Sequence, residues 1–101
     1  MASLCLLDED GTTAGRWELG DQPLAVGREA SADIIIDDQT LSRRHFVIQS
    51  DGTDYLLIDL ESQNGTFVDG KLVRREPAKL RHHVCIAAGR SLFMFSQAAP
   101  G

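Results

Sequence analysis

Apolar residues along this chain fall in short runs rather than at the three-and-four spacing of an amphipathic helix. The runs are Leu4–Leu7, Trp17–Leu19, Leu24–Val26, Ile34–Ile36, Phe46–Ile48, Tyr55–Ile58, Phe67–Val68, Val84–Ile86 and Leu92–Phe95. Turn-forming pairs such as Asp10-Gly11, Gly20-Asp21 and Asn64-Gly65 separate several of them, at intervals of about 8 to 12 residues. The pattern predicts an all-β domain, either a sandwich or a barrel, and no segment supports a helix.

Two segments carry specific hairpin signals. In Phe67–Val73 the pair Asp69-Gly70 stands between two short runs, and both residues suit the positive φ angles of a tight two-residue turn. Residues 45–50 and 54–59 flank Asp51-Gly52-Thr53 and predict a second hairpin with a slightly longer loop.

The length of the chain is that of one domain. It has 101 residues, of which 43% are apolar and 25% are charged, so it can form one core and is not typical of a disordered protein. We assign residues 1–96 to the domain. Residues 97–101 have the sequence Gln-Ala-Ala-Pro-Gly, in which most side chains are small, and we assign them to a flexible tail or linker.

The overall charge narrows the range of partners. The formal net charge is −5, which repels both nucleic acid and anionic membrane surfaces, so neither is expected as a partner. An anion would have to be held by a local basic patch, for which Arg28, Arg43 and Arg44 are candidates. The sequence has no apolar stretch of the roughly 20 residues that cross a bilayer, and no signal peptide, so a cytoplasmic location is expected.

The two cysteines and the paired histidines do not suggest redox or metal chemistry. Cys5 and Cys85 each lie in an apolar run and are predicted to be buried and unpaired. His82 and His83 with Cys85 could form part of a metal site, but neighbouring residues of a strand point to opposite faces and no second cluster completes the ligands. Neither a metal nor another cofactor is expected.

Three segments concentrate hydrogen-bond donors where loops should lie, and loops carry the function of most β-domains. They are Val26-Gly27-Arg28, Thr40–His45 and Ser62–Thr66. The second offers a hydroxyl, two guanidinium groups and an imidazole, and the third contains an Asn-Gly turn.

These three segments resemble the forkhead-associated (FHA) domain in order and spacing: Gly27-Arg28, then Leu41-Ser42-Arg43-Arg44-His45, then Ser62–Gly70. The resemblance extends from about Leu4 to Phe95. It implies a sandwich of about eleven strands in two sheets, with loops at one end that bind phosphothreonine peptides. Asp69 stands where the family often has Asn, and both residues suit the same turn.

The resemblance also implies roles for individual residues. Phosphate-binding residues would be Arg28, Ser42 and Arg43, and peptide-binding residues would be Asn64, Gln63 and Thr40. Gly27, His45, Gly65 and Thr66 would support the loops. A phosphothreonine needs a fixed cation and neutral donors, which suits this set. The implied partner is a phosphothreonine-containing protein, such as a Ser/Thr kinase or its substrate, bound by a monomer that is not an enzyme.

Two alternatives belong to other functional classes. One is a phosphate-independent interaction or oligomerisation module that uses the same loops or a face of the sandwich. The other is a hydrolase with Ser42 as nucleophile, His45 as base and Asp59 as third member, although the sequence has no elbow motif and no evident oxyanion hole.

The sequence departs from the family pattern in residues 79–86, where His82-His83 replaces the usual Gly-Asp turn. This leaves the geometry of that turn open. Two other polar or aromatic features are given structural explanations: Asp37-Asp38 is predicted to be a solvated loop, and Trp17 a half-buried strand residue.

Overall fold

The computed structural model describes residues 2–97 as eleven strands in two sheets. The strands are β1 Ala2–Leu7, β2 Thr13–Leu19, β3 Leu24–Gly27, β4 Ile34–Ile35, β5 Phe46–Ser50, β6 Tyr55–Asp59, β7 Thr66–Val68, β8 Lys71–Val73, β9 Ala78–Leu80, β10 Val84–Ala88 and β11 Ser91–Gln97. Within the same residues there is no helix, and so none with the length and apolarity needed to cross a membrane. The prediction of an all-β fold in two sheets is confirmed.

The six-stranded sheet has the order β2-β1-β11-β10-β7-β8, and the five-stranded sheet has the order β4-β3-β5-β6-β9. Every pair is antiparallel except β3 with β4. In strands such as β10 and β11, residues alternate between the core and the outer face, so β10 buries Val84, Ile86 and Ala88 and turns Cys85 and Ala87 outward. The two sheets therefore enclose one core.

Aromatic side chains join the two sheets at the centre of the core. Phe46 of β5 meets Phe93 of β11 edge to face, with ring centroids 5.6 Å apart, and both side chains are fully buried. Tyr55 of β6 packs against Phe95 of β11 and donates its hydroxyl hydrogen bond to the carbonyl of Leu19. Burial of each large side chain stabilises the fold by about 1.5 to 3 kcal/mol.

Both hairpins occur where they were predicted. Asp69 (φ +49°) and Gly70 (φ +81°) form the turn between β7 and β8, which pair as Val68 with Lys71. In the turn between β5 and β6, the backbone N–H groups of Asp54 and Thr53 donate to the Asp51 carboxylate and lower its pKa. These local hydrogen bonds fix the register of each pair.

The strand β9 was not predicted by any apolar run, because its three residues are too few to show a period. Gln97 was assigned to the tail, but it is the last residue of β11 and pairs with Ala2, so the strand extends one residue past the predicted end of the domain at residue 96. The other residues of the predicted tail, 98–101, lie outside the described residues.

Two predictions about side chains were wrong. Cys5 and Cys85 are half-buried on the outer face of the six-stranded sheet rather than in the core, and both are free thiols. His82 and His83 lie in the turn before β10, not in a strand, and their rings stack with centroids 3.6 Å apart. His83 takes the left-handed conformation (φ +64°), and so a tight turn forms without the Gly-Asp pair.

The register of the five-stranded sheet brings the three donor-rich segments to one end. Phe46, the first residue of β5, pairs with Val26 near the end of β3 and with Asp59 at the end of β6. The loop before β5 therefore lies between the loop after β3 and the loop after β6. These three loops form the candidate site.

Candidate functional site

A cavity of about 350 Å³, here called the loop cavity, opens among these loops. It is lined by Arg28, Gln39, Thr40, Leu41, Ser42, Arg43, Arg44, Gln63 and Asn64. The described residues that line it include three arginines and no carboxylate, in a protein whose net charge is −5. The loop cavity is therefore a local cationic site with neutral hydrogen-bonding groups around it.

Gly27 allows the backbone of β3 to approach the loop before β5. A Cβ at this position would lie 2.0 Å from the carbonyl oxygen of Arg43. The contact is continued by backbone hydrogen bonds from Arg28 N–H to the Ser42 carbonyl and from Glu29 N–H to the Arg43 carbonyl, each 3.3 Å. Only glycine permits this approach, which places Arg28 beside Ser42.

Arg28 is held by one edge of its guanidinium. Its Nε–H donates to the carbonyl oxygen of Leu41 over 2.8 Å, and the side chain is half-buried. The guanidinium has five N–H donors in one plane, so this bond leaves the four on the terminal nitrogens for a ligand. A cation fixed in this way loses little side-chain freedom when an anion binds.

The Ser42 hydroxyl has a donor available to a ligand. Its oxygen accepts a hydrogen bond from the backbone N–H of Gln63 over 3.0 Å, which fixes the position of the oxygen. Among residues 2–97 its own O–H has no acceptor within hydrogen-bond distance. A hydroxyl can donate one bond and accept two, so Ser42 can donate to an anion without breaking its existing contact.

His45 connects two of the loops from inside the protein. The ring is fully buried. Its Nδ1 atom accepts a hydrogen bond from the Ser42 backbone N–H, and its Nε2 atom lies 2.8 Å from the carbonyl oxygen of Gly65. Only the neutral tautomer with the proton on Nε2 satisfies both partners, since one partner is a donor and the other an acceptor. His45 thus fixes the distance between the serine loop and the Asn-Gly turn.

The Asn64-Gly65 turn rests on a buried carboxylate. Asp59 accepts hydrogen bonds from the hydroxyls of Ser62 and Thr66 and from the Ser62 backbone N–H, and all three residues are buried. Gly65 takes the left-handed conformation (φ +83°) that the turn needs. This arrangement holds Asn64 at the rim of the loop cavity.

Asn64 is exposed and links the third loop to the second. One of its side-chain N–H groups donates to the carbonyl of Thr40 over 2.7 Å. The amide oxygen has no hydrogen-bond donor near it among residues 2–97, and it and the second N–H remain for a ligand. Such a pair of donor and acceptor can bind the main chain of an extended peptide.

The remaining lining side chains are more exposed. Arg43 forms an ion pair with Glu29 at 3.4 Å, and its side chain is 73% exposed. Gln63 and Arg44 are exposed at the rim. Exposed ion pairs contribute little to stability, so Arg43 can exchange Glu29 for a stronger anion at low cost.

The structure corrects the interpretation of Asp38, which was predicted to be solvated. Its half-buried carboxylate accepts hydrogen bonds from the Thr40 hydroxyl and N–H, the Arg90 N–H and the Ser91 hydroxyl. The Thr40 hydroxyl in turn accepts from the Arg90 N–H over 2.8 Å. The hydroxyl of Thr40 is therefore bonded within the fold. The group of Thr40 that contacts Asn64 is its backbone carbonyl.

Replacing Asp38 by asparagine is expected to lower the free energy of unfolding by about 1 to 3 kcal/mol at neutral pH, because one accepting oxygen becomes a donor facing donors. Partial burial acts to raise the pKa of Asp38, but the hydrogen bonds from Thr40, Ser91 and Arg90 outweigh it and lower that pKa. A lowered pKa in the folded state stabilises the fold above the unfolded value of about 3.9, and this contribution disappears as the pH falls through the folded value.

Urea unfolding of the wild type and Asp38→Asn between pH 7 and pH 3 measures this effect. The difference between them should be largest at pH 7 and shrink at low pH. Asp37→Asn, which removes the charge of the exposed neighbour, is the control and should change stability by less than about 0.5 kcal/mol. Equal effects of the two variants would contradict the assignment.

The contacts of Ser42, His45 and Asp59 do not form a catalytic triad. Both ring nitrogens of His45 face backbone groups, and the Nδ1 atom accepts from the N–H of Ser42 rather than from its hydroxyl. Asp59 is bonded to Ser62 and Thr66. None of the hydrogen bonds that activate a serine nucleophile is present among these three residues.

Sequence reasoning identified most of the residues around the loop cavity but missed the groups that orient them. Leu41 acts through its backbone carbonyl, which no side-chain pattern reveals, and Asp38 and Asp59 act through bonds within the loops. The Asp-x-Thr spacing of Asp38 and Thr40 was an available signal, because it favours a local side-chain to backbone turn. No group of three or more potential metal ligands occurs within residues 2–97.

This chain is similar to known proteins in sequence and in fold. A family model described as the FHA domain matches residues 24–89, more than half of the chain. An oxoglutarate dehydrogenase inhibitor from Corynebacterium jeikeium and the glycogen accumulation regulator GarA from Mycolicibacterium smegmatis are each 40% identical over 76 residues, or 74% of this chain. The chain spans about half the length of these two relatives, 49% and 45% respectively.

Solved structures with the same fold cover nearly the whole chain. One, from a study of phosphothreonine-dependent FHA domain interactions, has a TM-score of 0.85 and 31% identity and covers 98% of each chain. The FhaA FHA domain in complex with the intracellular domain of Rv3910 has a TM-score of 0.81 and 33% identity, over 94% of this chain and 99% of the other. The FHA domain of CT664 from Chlamydia trachomatis has a TM-score of 0.87 and 28% identity, over 97% and 98%.

Proposed function

Since this chain belongs to the forkhead-associated (FHA) domain family, we propose that it binds proteins phosphorylated on threonine through the loop cavity. The observation that carries the proposal is the pair formed by Arg28 and Ser42. Each is fixed by one hydrogen bond to a neighbouring loop, and each keeps donors for a ligand. A prearranged cation beside a prearranged hydroxyl suits a dianion with three acceptor oxygens.

The phosphate is assigned to Arg28, Ser42 and Arg43. The terminal nitrogens of Arg28 donate to two phosphate oxygens, the Ser42 hydroxyl donates to one, and Arg43 leaves Glu29 to add a second positive charge. No carboxylate lines the described part of the cavity, so no negative charge there repels the phosphate. Lysine in place of Arg28 would lose the planar pair of donors.

The peptide that carries the phosphothreonine is assigned to the third loop. Asn64 offers its amide oxygen and one N–H to the peptide main chain, while its other N–H holds the carbonyl of Thr40. Gln63 lies exposed beside it and is assigned to the neighbouring peptide residues. The Thr40 hydroxyl is bonded to Asp38 and Arg90. Thr40 therefore contributes by holding Asn64 through its backbone carbonyl rather than by donating a free hydroxyl.

The expected affinity follows from the number of charged hydrogen bonds. Each contributes about 1.5 to 3 kcal/mol, so four of them less an association cost of about 4 kcal/mol give at most a binding free energy of about −8 kcal/mol, which corresponds to a micromolar dissociation constant. Binding of this strength is reversible on the timescale of signalling.

The partner is proposed to be a Ser/Thr kinase or a substrate of one, bound by a monomeric module without enzymatic activity. The relatives named above are an inhibitor and a regulator, which are roles carried out by binding.

Calorimetric titration with a degenerate peptide library fixed only at phosphothreonine tests the proposal. We expect saturable binding to the phosphorylated library and none to the same library with threonine. Ser42→Ala removes one donor and should weaken binding by about tenfold, which corresponds to about 1.4 kcal/mol. The control is Ser31→Ala, an exposed serine outside the loop cavity, which should leave the affinity unchanged.

Binding that is equal for phosphorylated and unphosphorylated peptides would contradict the proposal and favour a phosphate-independent interaction module. A folded protein that binds neither library would contradict it as well. Circular dichroism of each variant establishes that the protein used in the titration is folded.

A further inference from the structure

A second and larger cavity, of about 920 Å³, lies where the edges of the two sheets face each other. We call it the edge groove. It is lined by Val68, Asp69, Lys71, Leu72, Val73, Arg74, Arg75, Glu76, Pro77, Ala78, Lys79, Arg81 and Val84. None of these residues lines the loop cavity, so the two sites are separate.

The edge groove concentrates positive charge in an acidic protein. Five of the chain's ten lysines and arginines line it, against two of its fifteen acidic residues. Its lining therefore carries a net charge of +3, whereas the whole chain carries −5. Such a separation of charge favours a partner with acidic groups and repels a basic one.

Most of the basic side chains around the groove are available to a ligand. Lys79 forms an ion pair with Asp54 at 3.3 Å, and Arg74 donates to the carbonyl of Ser62. The other three, Lys71, Arg75 and Arg81, are exposed and have no ion pair among residues 2–97. Apolar side chains also line the groove: Val68, Val73 and Val84 belong to the buried core, whereas Leu72 is 49% exposed and offers apolar surface to a ligand.

The groove also lies between two strands with unpaired edges. Among residues 2–97, the strand β8 is the last of the six-stranded sheet and pairs only with β7, and β9 is the last of the five-stranded sheet and pairs only with β6. The open side of each presents backbone N–H and C=O groups that an added strand could bond. Peptides commonly bind to sheet edges in this way.

From these observations we propose that the edge groove binds an extended acidic peptide segment of a partner protein. The segment adds as a strand to the edge of β8 or β9, its acidic side chains face the exposed cations Lys71, Arg75 and Arg81, and its alternate apolar side chains pack against the exposed Leu72. This binding needs no phosphate and does not depend on the loop cavity.

Fluorescence anisotropy of the full chain with a set of labelled peptides tests the proposal. Each peptide has about twelve residues, long enough for a strand, with glutamate alternating with valine, leucine, isoleucine or phenylalanine. A matching set has glutamine in place of glutamate. We expect members of the glutamate set to bind, and binding to weaken as the salt concentration rises.

Charge reversal in the groove provides the specific readout. Arg75→Glu and Arg81→Glu should each weaken binding by about fivefold, since each turns an attraction into a repulsion. Arg16→Glu makes the same change of charge on β2, outside both cavities, and should leave the affinity within about twofold. Backbone amide resonances of residues 71–73 or 78–80 should shift on titration.

Three results would overturn the inference. They are the absence of saturable binding by any glutamate peptide, an equal loss in Arg16→Glu and Arg75→Glu, and shifts confined to the loops around Arg28 and Ser42. Because the peptides carry no phosphate, these results are independent of whether phosphothreonine binds.

Discussion

Replacement of Arg28 by alanine is expected to weaken binding of a phosphothreonine peptide by about a hundredfold, which corresponds to about 2.7 kcal/mol. The loss is larger than that of one hydrogen bond because the guanidinium supplies the charge and two of the donors of the site. The substitution also leaves the carbonyl of Leu41 without its hydrogen bond from the arginine Nε–H.

The measurement is calorimetry with a phosphothreonine peptide selected from the degenerate library on the wild-type protein. Arg28→Lys keeps the charge but loses the planar donors and the bond to Leu41, so its affinity should fall between those of wild type and Arg28→Ala. The control is Arg16→Ala, which removes an exposed arginine paired with Glu18 on β2.

An Arg28→Ala protein that remains folded and binds the phosphopeptide within about threefold of wild type would exclude Arg28 as the main phosphate ligand. Equal losses in Arg28→Ala and Arg16→Ala would instead indicate that only the overall charge matters. Either result would refute the proposed phosphate site.

Replacement of Gly27 by alanine is expected to lower the free energy of unfolding by about 3 kcal/mol, through overpacking of a backbone contact. The added Cβ would lie 2.0 Å from the carbonyl oxygen and 2.7 Å from the carbonyl carbon of Arg43. Neither atom can rotate away, because both belong to the backbone. For a domain of this size the melting temperature should fall by roughly 12 to 24 °C.

Gly20→Ala is a matched control, because a Cβ at Gly20 would have no atom within 4 Å. It should change stability by less than about 0.5 kcal/mol. Thermal and urea unfolding of the two variants measure the difference. Phosphopeptide binding by Gly27→Ala at a temperature where it is folded should also be weaker than that of Gly20→Ala, since displacement of Arg43 moves Ser42 away from Arg28.

A melting temperature of Gly27→Ala equal to that of Gly20→Ala would show that the loop before β5 can move away from β3 without cost. That result would contradict the close approach on which the geometry of the loop cavity depends. Lower stability with unchanged affinity would show that the contact supports the fold but not the site.

The sequence alone was sufficient for most of the strands and for both hairpin turns because burial and turn formation are local. Alternating or short apolar runs correspond to strands that bury one face, and Asp69-Gly70 forms its turn because both residues tolerate positive φ. For the same reason, the sequence did not predict β9, whose three residues show no period. It also did not predict the turn at His82 and His83, which contains no usual turn residue.

The sequence also identified the residues around the loop cavity, through their resemblance to the FHA family. The structure places Arg28, Ser42, Arg43, Gln63, Asn64 and Thr40 around one cavity. Their binding roles remain predictions for the experiments above. The resemblance did not indicate which groups the fold itself uses: the Thr40 hydroxyl donates to Asp38, which the Asp-x-Thr spacing could have signalled, and accepts from the distant Arg90 N–H, which no local pattern indicates.

Most strand positions and both hairpin turns were thus determined by the sequence itself, because each depends on a few neighbouring residues. Only the tertiary structure decided the contacts between loops, which join residues 13 positions apart for Arg28 and Leu41, 20 for His45 and Gly65, and 21 for Ser42 and Gln63. The tertiary structure also forms the edge groove, because it brings together cations from the edges of two sheets. The physical reason is that these contacts depend on strand register and sheet order, which are fixed by packing of the whole core rather than by any one segment.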